Sequence, residues 1–340
     1  MNVGIFGASG QVGGVMLSLL AERNFPATQV RLFASSKSAG KKLECLGEQI
    51  TIEDVDGADF TGIDIALFSM GASASLLWAP KVAASGAIVI DNSSAWRMDP
   101  EVPLVVAEVN PYELFTIPKG IIANPNCTTM IAMPVIKPLH ERAGLKRVTA
   151  STYQAVSGAG IKGVAELSGQ MQLLGDPSRL TMSGDVVEFK NIEVFPKPIV
   201  ANVIPLAGEL IDDETVEEHK FRDESRKILG LLDLSVSCTC VRVPVFTGHS
   251  ISLNLEFLHP IEVEEVSSIL KQAPGVELSD IPTPLSCTGK DPCFVGRIRK
   301  DHGVANGIAL FVSGDNLRKG AALNALQIAE ILLKEELNRN

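Results

Sequence analysis

The chain has 340 residues, a formal net charge of −10 and a sequence pI of about 5.1. Its length favours two domains, and its 46% hydrophobic and 21% charged residues are typical of a well-packed globular protein. The acidic balance, with no basic block, argues against nucleic-acid binding, and no apolar run reaches the roughly 18 residues of a membrane span. There is no export-signal pattern and there are only six cysteines, so we expect a cytoplasmic protein with reduced thiols.

The first elements predict a phosphate-binding βα unit. A short apolar strand over residues 2–6 leads into a glycine-rich turn, and an amphipathic helix follows over residues 15–20. Glycines let the backbone approach a phosphate closely, and a helix N-terminus favours negative charge. We therefore expect the turn to bind a dinucleotide through Gly7, Ser9, Gly10, Gln11, Val12 and Gly13.

The same alternation of strand and helix continues along the first part of the chain. Strands are predicted over residues 30–34, 63–69 and 87–91, with a helix over residues 73–84. Such alternation is typical of a doubly wound parallel sheet, so the fold class is α/β with an N-terminal Rossmann-type dinucleotide-binding domain.

The end of the second strand indicates which dinucleotide is bound. An NAD site places an acidic residue here for the ribose 2′-hydroxyl. This chain instead has hydroxyl groups and one cation, at Ser35, Ser36, Lys37 and Ser38, which suits a 2′-phosphate. The pattern favours NADP; the alternative is an ordinary polar loop.

A cysteine lies at the predicted start of another helix. Cys127 follows the turn-forming Asn124-Pro125-Asn126 and precedes a helical stretch over residues 128–141. Amides at a helix start stabilise an anion, so this position predicts a thiolate nucleophile. The alternative is a buried cysteine that fills a small gap.

Beyond residue 147 the pattern changes. Longer strands are predicted over residues 148–156, 235–243 and 250–257, with charged helices over residues 213–229 and 263–272 and a final helix over residues 317–337. This favours a second domain built on an open mixed or antiparallel sheet with helices on one face.

Two polar residues of this second part are candidate catalytic groups. His249 differs from the other four histidines because it opens a strand after a turn bracketed by Pro and Gly, with Arg242 upstream. Gln154 lies near a strand end, before a glycine turn whose amides could bind an anion or the nicotinamide carboxamide. Cys238 and Cys240 could suggest a metal, but they lie in a predicted strand and no further ligand pair accompanies them, so no metal is expected.

These motifs together resemble one family. Asn126-Cys127-Thr128, the run from Tyr153 to Gly160, Arg242 with His249, the glycine turn and Gly314-Asp-Asn-Leu-Arg-Lys-Gly320 closely resemble bacterial aspartate-semialdehyde dehydrogenase. The likeness extends over residues 3–330.

The resemblance implies a role for individual residues. Cys127 would form the acyl-thioester, His249 would be the general acid/base, and Gln154 would orient the substrate. Arg242 would bind the substrate carboxylate. The phosphate and substrate would be surrounded by Arg97, Asn126, Glu217 and Lys220, and the nicotinamide half of the cofactor would contact Ser157, Gly158 and Asn316. From the residues alone, a solvated ion pair is the better interpretation of Glu217 and Lys220.

The resemblance also implies the architecture and the reaction. Residues 1–126 and 318–340 would form the NADP-binding domain, and residues 127–317 an α+β catalytic and dimerisation domain of the glyceraldehyde-3-phosphate dehydrogenase-like type. A homodimer would reduce L-aspartyl 4-phosphate to L-aspartate 4-semialdehyde with NADPH, in lysine, threonine, methionine and diaminopimelate biosynthesis.

Two departures and two alternatives accompany this interpretation. Lys37 replaces a common Arg, which keeps the charge but loses the bidentate fork for the 2′-phosphate. Met70-Gly-Ala-Ser73 replaces the commoner Ala-Gly-Gly-Ser. The alternatives are an N-acetyl-gamma-glutamyl-phosphate reductase and a catalytically retired NADP-binding regulator; the joint presence of Cys127, Gln154, Arg242 and His249 speaks against the second.

Overall fold

The computed structural model describes residues 1–184, 188–189 and 192–339, with the side chains of the last helix described up to residue 334. The described chain is organised around two large sheets with their covering helices, and a two-stranded sheet accompanies them. Within these ranges, no helix combines the length and the apolar character needed to cross a bilayer.

The first sheet has seven strands in the order β3-β4-β2-β1-β5-β6-β7. These are β1 (Asn2–Phe6), β2 (Gln29–Ala34), β3 (Lys42–Cys45), β4 (Glu48–Asp54), β5 (Ile65–Phe68), β6 (Ile88–Asp91) and β7 (Ile121–Ala123). All neighbouring strands are parallel except β3 and β4, a hairpin that the sequence pattern did not reveal. The predicted doubly wound sheet is therefore confirmed.

Helices cover both faces of this sheet, which explains why a strand such as β5 is buried at every position. On one face α1 (Gln11–Glu22) and α8 (Leu323–Arg339) share a core with β1, in which Leu323 and Leu326 join Val3 and Ile5. On the other face α2 (Ala72–Ala84) packs through Ala79 and Val82. The strand order reverses direction between β1 and β5, which is where doubly wound folds bind their ligands.

The second sheet has six strands in the order β11-β8-β12-β15-β14-β13. These are β8 (Leu145–Gln154), β11 (Ser235–Arg242), β12 (His249–Phe257), β13 (Val276–Leu278), β14 (Cys293–Asp301) and β15 (Gly307–Gly314). The sheet is mixed, since β11–β8 and β13–β14 are parallel pairs and the other neighbours are antiparallel. Inward positions of β12 alternate with half-exposed ones, as expected for a sheet with one covered face.

The helices α3 (Cys127–Ala143), α5 (Val216–Leu229) and α6 (Val263–Gln272) pack on this sheet and against one another. The remaining elements are α4 (Gly160–Leu173), the short pair β9 (Leu210–Ile211) and β10 (Glu214–Thr215), and α7 (Pro284–Cys287). Because α3 begins directly after β7, its first residue lies at the carboxyl edge of the parallel sheet.

Two predicted helices begin differently from expectation. The helix predicted over residues 213–229 begins only at Val216, because Glu214 and Thr215 pair with β9 and Thr215 then caps the helix in a capping box with Glu218. The helix predicted over residues 317–337 opens with a π-helical turn, Arg318–Ala322, before α8. The apolar spacing that predicted this helix, from Leu323 to Leu333, lies within α8 itself, so the pattern did not reveal the turn before it.

Candidate active site

A cavity of about 310 Å³ lies where the carboxyl ends of β6 and β7 meet the second sheet. It brings together residues that are far apart in the chain. Ten of the residues singled out from the sequence line it: Val12, Arg97, Asn126, Cys127, Ser157, Gly158, Glu217, Lys220, Arg242 and Asn316.

Cys127 is the first residue of α3 and is partly exposed to the cavity. The helix is capped by Asn126, whose Oδ1 accepts hydrogen bonds from the backbone N–H of Thr128 at 3.0 Å and from its hydroxyl at 2.6 Å. Such a cap is worth about 1 kcal/mol and leaves Cys127 among the free amides of the first turn. The predicted helix start is confirmed.

A residue that the sequence analysis did not single out holds this turn in place. Glu224, on α5, is 1% exposed; one carboxylate oxygen accepts the backbone N–H of Asn126 at 2.6 Å, and the other accepts Nη1 of Arg97 at 3.0 Å. Arg97 also donates to the carbonyl oxygens of Asn92 and Asn124. Glu224 therefore joins α5, the start of α3 and the ends of β6 and β7.

The pairing of Arg97 changes the expected electrostatics of the site. Burial raises the pKa of Glu224, and the adjacent Arg97 guanidinium opposes that rise. A guanidinium has five N–H donors, so the three engaged bonds still leave donors for a ligand. Arg97 is thus a paired cation.

Glu217 and the half-buried Lys220 form a second ion pair on the cavity wall. Lys220 Nζ lies 2.7 Å from Glu217 Oε1, and Asn126 Nδ2 donates to Glu217 Oε2 at 3.1 Å. Burial alone would raise the pKa of Glu217, but Lys220 and Arg242 together lower it below its ordinary value. The pair is not the solvated surface pair that the helix spacing also allowed, since Glu217 is 9% exposed.

Arg242 ends β11 and donates through Nη1 to the carbonyl oxygen of Ala155 at 3.1 Å. Arg97 and Lys220 each pair with a carboxylate, whereas among the described residues no carboxylate lies within ion-pairing distance of the Arg242 guanidinium. Arg242 is consequently the cavity cation best able to bind an anionic ligand.

His249 opens β12, as predicted, and is completely buried behind Gly158. Its Nδ1 accepts the backbone N–H of Ala155 at 3.0 Å, which assigns the proton of the neutral imidazole to Nε2. Burial and Arg242 lower the pKa of His249 to about 3, with Glu217 opposing. The imidazole is therefore neutral, and its Nε2–H is a donor without a partner in the described chain.

Glycine at position 158 is required by this packing. A Cβ built there would lie 2.8 Å from Arg242 Nη1 and 3.2 Å from His249 Nε2. At this point the cavity wall is the backbone of Gly158, which packs directly against the Arg242 guanidinium and the His249 imidazole.

Gln154, the last residue of β8, is also completely buried. Neither Nε2 nor Oε1 of its side chain has a hydrogen-bond partner within the described ranges. Buried polar atoms are rarely left unpaired, so those of Gln154 and His249 mark a place for a polar ligand or water.

The glycine turn has the geometry of a phosphate cradle. Gly7 adopts φ +87°, and a Cβ there would overlap the carbonyl oxygen of Ser69, at the point where the strand order reverses. A Cβ at Gly13 would overlap the backbone of Gly7 and Ala8. Gly10 is the N-cap of α1, and the buried Oε1 of Gln11 has no partner in the described chain.

The predicted adenosine side lies next to this cradle and outside the 310 Å³ cavity. Ser9 Oγ donates to Ser38 Oγ at 3.2 Å, which ties the two loops together. Ser35, Ser36 and Lys37 are exposed and free to meet a ligand.

At the other end of the cavity, Asn316 connects several predicted residues. Its Nδ2 donates to Ser157 Oγ at 2.9 Å, and its Oδ1 accepts the N–H of Gly248, next to His249, at 2.9 Å.

The structure corrects one expectation about Cys127. Burial raises the pKa of its thiol to about 12, and Glu217 adds to this rise, while Arg242, Arg97 and Lys220 oppose it. The sequence predicted a thiolate nucleophile at the helix start; in the ligand-free site these surroundings favour the thiol instead. A thiolate in this cavity would be poorly hydrated, and two of the three nearby cations, Arg97 and Lys220, are already paired with carboxylates.

The described residues contain no group of three or more metal-ligating side chains that could hold a metal ion. Cys238 and Cys240 lie in β11 as predicted, with their sulfur atoms 3.7 Å apart.

The raised thiol pKa gives a testable pH dependence. Only the thiolate reacts with iodoacetamide, so we expect alkylation of ligand-free Cys127 to accelerate about tenfold per pH unit from pH 6 to 10, without a plateau. Mass spectrometry of the Cys127 peptide gives the rate, and the Cys127→Ala variant shows the background. A plateau with a midpoint near or below pH 7 would contradict this electrostatic picture.

Known proteins share both the sequence and the fold. The family model "Semialdehyde dehydrogenase, NAD binding domain" matches residues 2–117, and "Semialdehyde dehydrogenase, dimerisation domain" matches residues 136–319. Aspartate-semialdehyde dehydrogenases of Streptomyces akiyoshiensis and Mycolicibacterium smegmatis are 60% and 56% identical, each over 98% of this chain and 99% of the relative.

Two solved structures agree. The aspartate semialdehyde dehydrogenase II of Vibrio cholerae, complexed with ASA, superposes with a TM-score of 0.92 at 42% identity and 98% coverage of both chains. The Candida albicans enzyme with NADP gives a TM-score of 0.73 at 25% identity, over 97% of this chain and 98% of that one. Both family models, these identities and the shared fold lead to one conclusion: the chain belongs to the aspartate-semialdehyde dehydrogenase family.

Proposed function

We propose that this chain catalyses the NADPH-dependent reductive dephosphorylation of L-aspartyl 4-phosphate to L-aspartate 4-semialdehyde. One observation carries the proposal: the Cys127 thiol at a capped helix start shares a cavity with Arg97, Lys220 and Arg242. This combination provides a nucleophile for an acyl group and cations for a carboxylate and a phosphate. The product supplies lysine, threonine, methionine and diaminopimelate synthesis.

The residues of the glycine turn suit a dinucleotide. A Cβ at Gly7 or Gly13 would overlap neighbouring backbone, so only glycine allows this tight turn, and the first turn of α1 supplies free amides for a phosphate. We propose NADP as the cofactor, with Ser35, Ser36, Lys37 and Ser38 at the 2′-phosphate and Ser157, Gly158 and Asn316 at the nicotinamide half. When bound, NADPH supplies the hydride that reduces the acyl group.

Arg242 binds the substrate carboxylate in this proposal, because its guanidinium is the cavity cation without a carboxylate partner in the described chain. Lys220 and Arg97 attract the phosphate, and Glu217 with Asn126 orients the amino end of the substrate. Three cations against two carboxylates leave the cavity with an excess of positive charge, which favours an anionic substrate.

Cys127 attacks the acyl carbon, the bond to phosphate breaks, and a thioester forms. Because the resting group is a thiol, its proton must leave in the same step, and the departing phosphate is a base of suitable charge. After reduction, the thiohemiacetal on Cys127 collapses to the aldehyde and restores the sulfur, which regains a proton from solvent.

His249 presents Nε2–H to the reacting group and stabilises the oxyanion that develops when the acyl carbon becomes tetrahedral. Of the expected acid/base role, the hydrogen bond to Ala155 therefore supports the acid part. The unpartnered amide of Gln154 orients the substrate nearby.

We further propose the expected domain division, with residues 1–126 and 318–340 binding the cofactor and residues 127–317 forming the catalytic and dimerisation domain. The packing of α8 on the first sheet supports the inclusion of the C-terminal segment. A homodimer is supported by the dimerisation description of the second family model. All six cysteines are free thiols, which suits the cytoplasm.

The decisive experiment measures phosphate-dependent reduction of NADP with L-aspartate 4-semialdehyde as substrate. We expect activity with the wild type, a kcat/KM higher for NADP than for NAD, and at least a thousandfold loss of kcat in Cys127→Ala, since the covalent step is removed. Cys45→Ala, in the core of the first domain, is the matched control. Turnover of N-acetyl-γ-glutamyl phosphate in preference to aspartyl phosphate, or a tenth of wild-type kcat in Cys127→Ala, would refute the proposal.

Replacing Arg242 and replacing His249 should change different kinetic parameters. We expect Arg242→Lys to raise KM for the semialdehyde and lower kcat/KM at least about a hundredfold, because an ammonium cannot grip a carboxylate bidentately. His249→Asn should instead lower kcat with little change in KM, since Asn can still accept the Ala155 N–H but cannot reach the position of Nε2. Arg31→Lys, which retains an ion pair with Glu53 on the first sheet, is the control. Near-normal kinetics of Arg242→Lys would remove its assigned role.

A further inference from the structure

A buried lysine lies beneath the segment that joins β15 to α8. The side chain of Lys319 is completely buried, and its ammonium donates to the Glu108 carboxylate, to Gln327 Oε1 at 3.0 Å and to Asn324 Oδ1 at 3.3 Å. A buried ammonium is tolerated only when its donors are satisfied in this way. The proposed reaction does not use Lys319 directly.

Lys319 belongs to the π-helical turn Arg318–Ala322. The turn is closed by hydrogen bonds over five residues, from Gly320 N–H to the Asp315 carbonyl at 2.9 Å and from Ala322 N–H to the Leu317 carbonyl at 3.1 Å. Such turns are rare and frequently occur at functional sites. The lysine holds the middle of this turn against Glu108, which precedes β7 in the chain.

The segment around this turn contacts three functional parts of the cavity. A Cβ built on Gly320 would lie 2.9 Å from the Cβ of Cys127, so the turn forms a wall directly against the nucleophile. Asn316, just before the turn, binds the N–H of Gly248 beside His249 and the hydroxyl of Ser157. A displacement of the turn would therefore alter the surroundings of the thiol, the imidazole and the cofactor wall together.

Buried amides extend from the lysine to the cavity. Asn324, which accepts from Lys319, donates to Asn124 Oδ1, and Asn124 donates to Asn92 Oδ1, both at 2.5 Å. Asn124 also donates to the carbonyl oxygen of Ala321 in the turn. Each amide oxygen in this series accepts a hydrogen bond from the preceding residue, so the series has one favourable arrangement of donors and acceptors.

We propose that Lys319 is a positioning residue of the active site: its ammonium, anchored by Glu108, fixes the π-turn so that Gly320 and Asn316 hold Cys127 and the His249 loop in reactive geometry. The inference deepens the proposed function, because these groups are the ones that function uses. It assigns no contact between Lys319 and the substrate.

The test uses the full-length enzyme and begins with a variant that leaves no unpaired buried charge. The double variant Lys319→Met/Glu108→Gln removes both charges, while the new amide oxygen at position 108 can still accept from Gln327 as the carboxylate does. We expect kcat to fall at least tenfold, KM for the semialdehyde to change less than threefold, and the rate of Cys127 alkylation by iodoacetamide to change at least fivefold. Glu108→Gln alone keeps the lysine and should shift kcat and alkylation in the same direction, by at least threefold.

Arg31→Met is the matched control, because it breaks a bidentate ion pair with Glu53, between β2 and β4, and none of its described contacts involves the π-turn. It should lower Tm and leave kcat and alkylation unchanged. Wild-type kcat and alkylation in the double variant, or in Glu108→Gln if the double variant does not fold, would overturn the proposal, as would an equal loss of kcat in Arg31→Met. The alkylation rate does not depend on the proposed reaction. An inactive wild type would therefore refute that function, while the alkylation rates of the variants would still test the role of Lys319.

Discussion

The carboxylate of Glu224 is the interaction on which the rest of the site depends. Its two oxygens bind the N–H of Asn126, one residue before the nucleophile, and the guanidinium of Arg97. Arg97 in turn fastens the segments that follow β6 and β7 through the carbonyls of Asn92 and Asn124. A single buried group on α5 thus sets the position of Cys127 relative to both sheets. Removing one partner of such a buried pair costs about 3–5 kcal/mol in other proteins, because the remaining charge is left without compensation.

The same burial that makes this arrangement rigid sets the protonation of the free site. The pKa of Cys127 is raised to about 12 and that of His249 is lowered to about 3, so thiol and imidazole are both neutral without substrate. The cations, the hydrogen-bond donors and the shape of the cavity are in place without substrate. The negative charge on the Cys127 sulfur develops only when the acyl phosphate is present. A neutral thiol is also a poor target for other electrophiles, which protects a nucleophile that must remain accessible.

Local patterns predicted the parts of the site that local geometry creates. The glycine turn after β1, the helix start at Cys127 and the histidine that opens β12 each have their signal within about ten residues, and the structure has these elements where they were predicted. Glu224 and Lys319 could not be found in this way. Their partners lie 98 and 211 residues away in the chain, in the contacts with Asn126 and Glu108. A charged residue on an amphipathic helix indicates a solvated face, and only the tertiary packing of α5 and of the π-turn makes these charges internal. The protonation of Cys127 in the free site could not be predicted locally either, because helix amides are a local feature whereas desolvation is set by the whole cavity.

The most direct test of the role of Glu224 compares the kinetics of Glu224→Gln with those of Glu218→Gln. Glu218 is a neighbouring buried carboxylate on α5 that accepts the N–H groups of Thr215 and Cys240 and takes no part in the nucleophile turn. The account predicts that both variants lower Tm to a similar degree, but that only Glu224→Gln lowers kcat, by at least a hundredfold, because its amide cannot accept from both Asn126 and Arg97. If Glu224→Gln retains kcat within threefold of the wild type, or if Glu218→Gln loses as much, the central role of this carboxylate is contradicted.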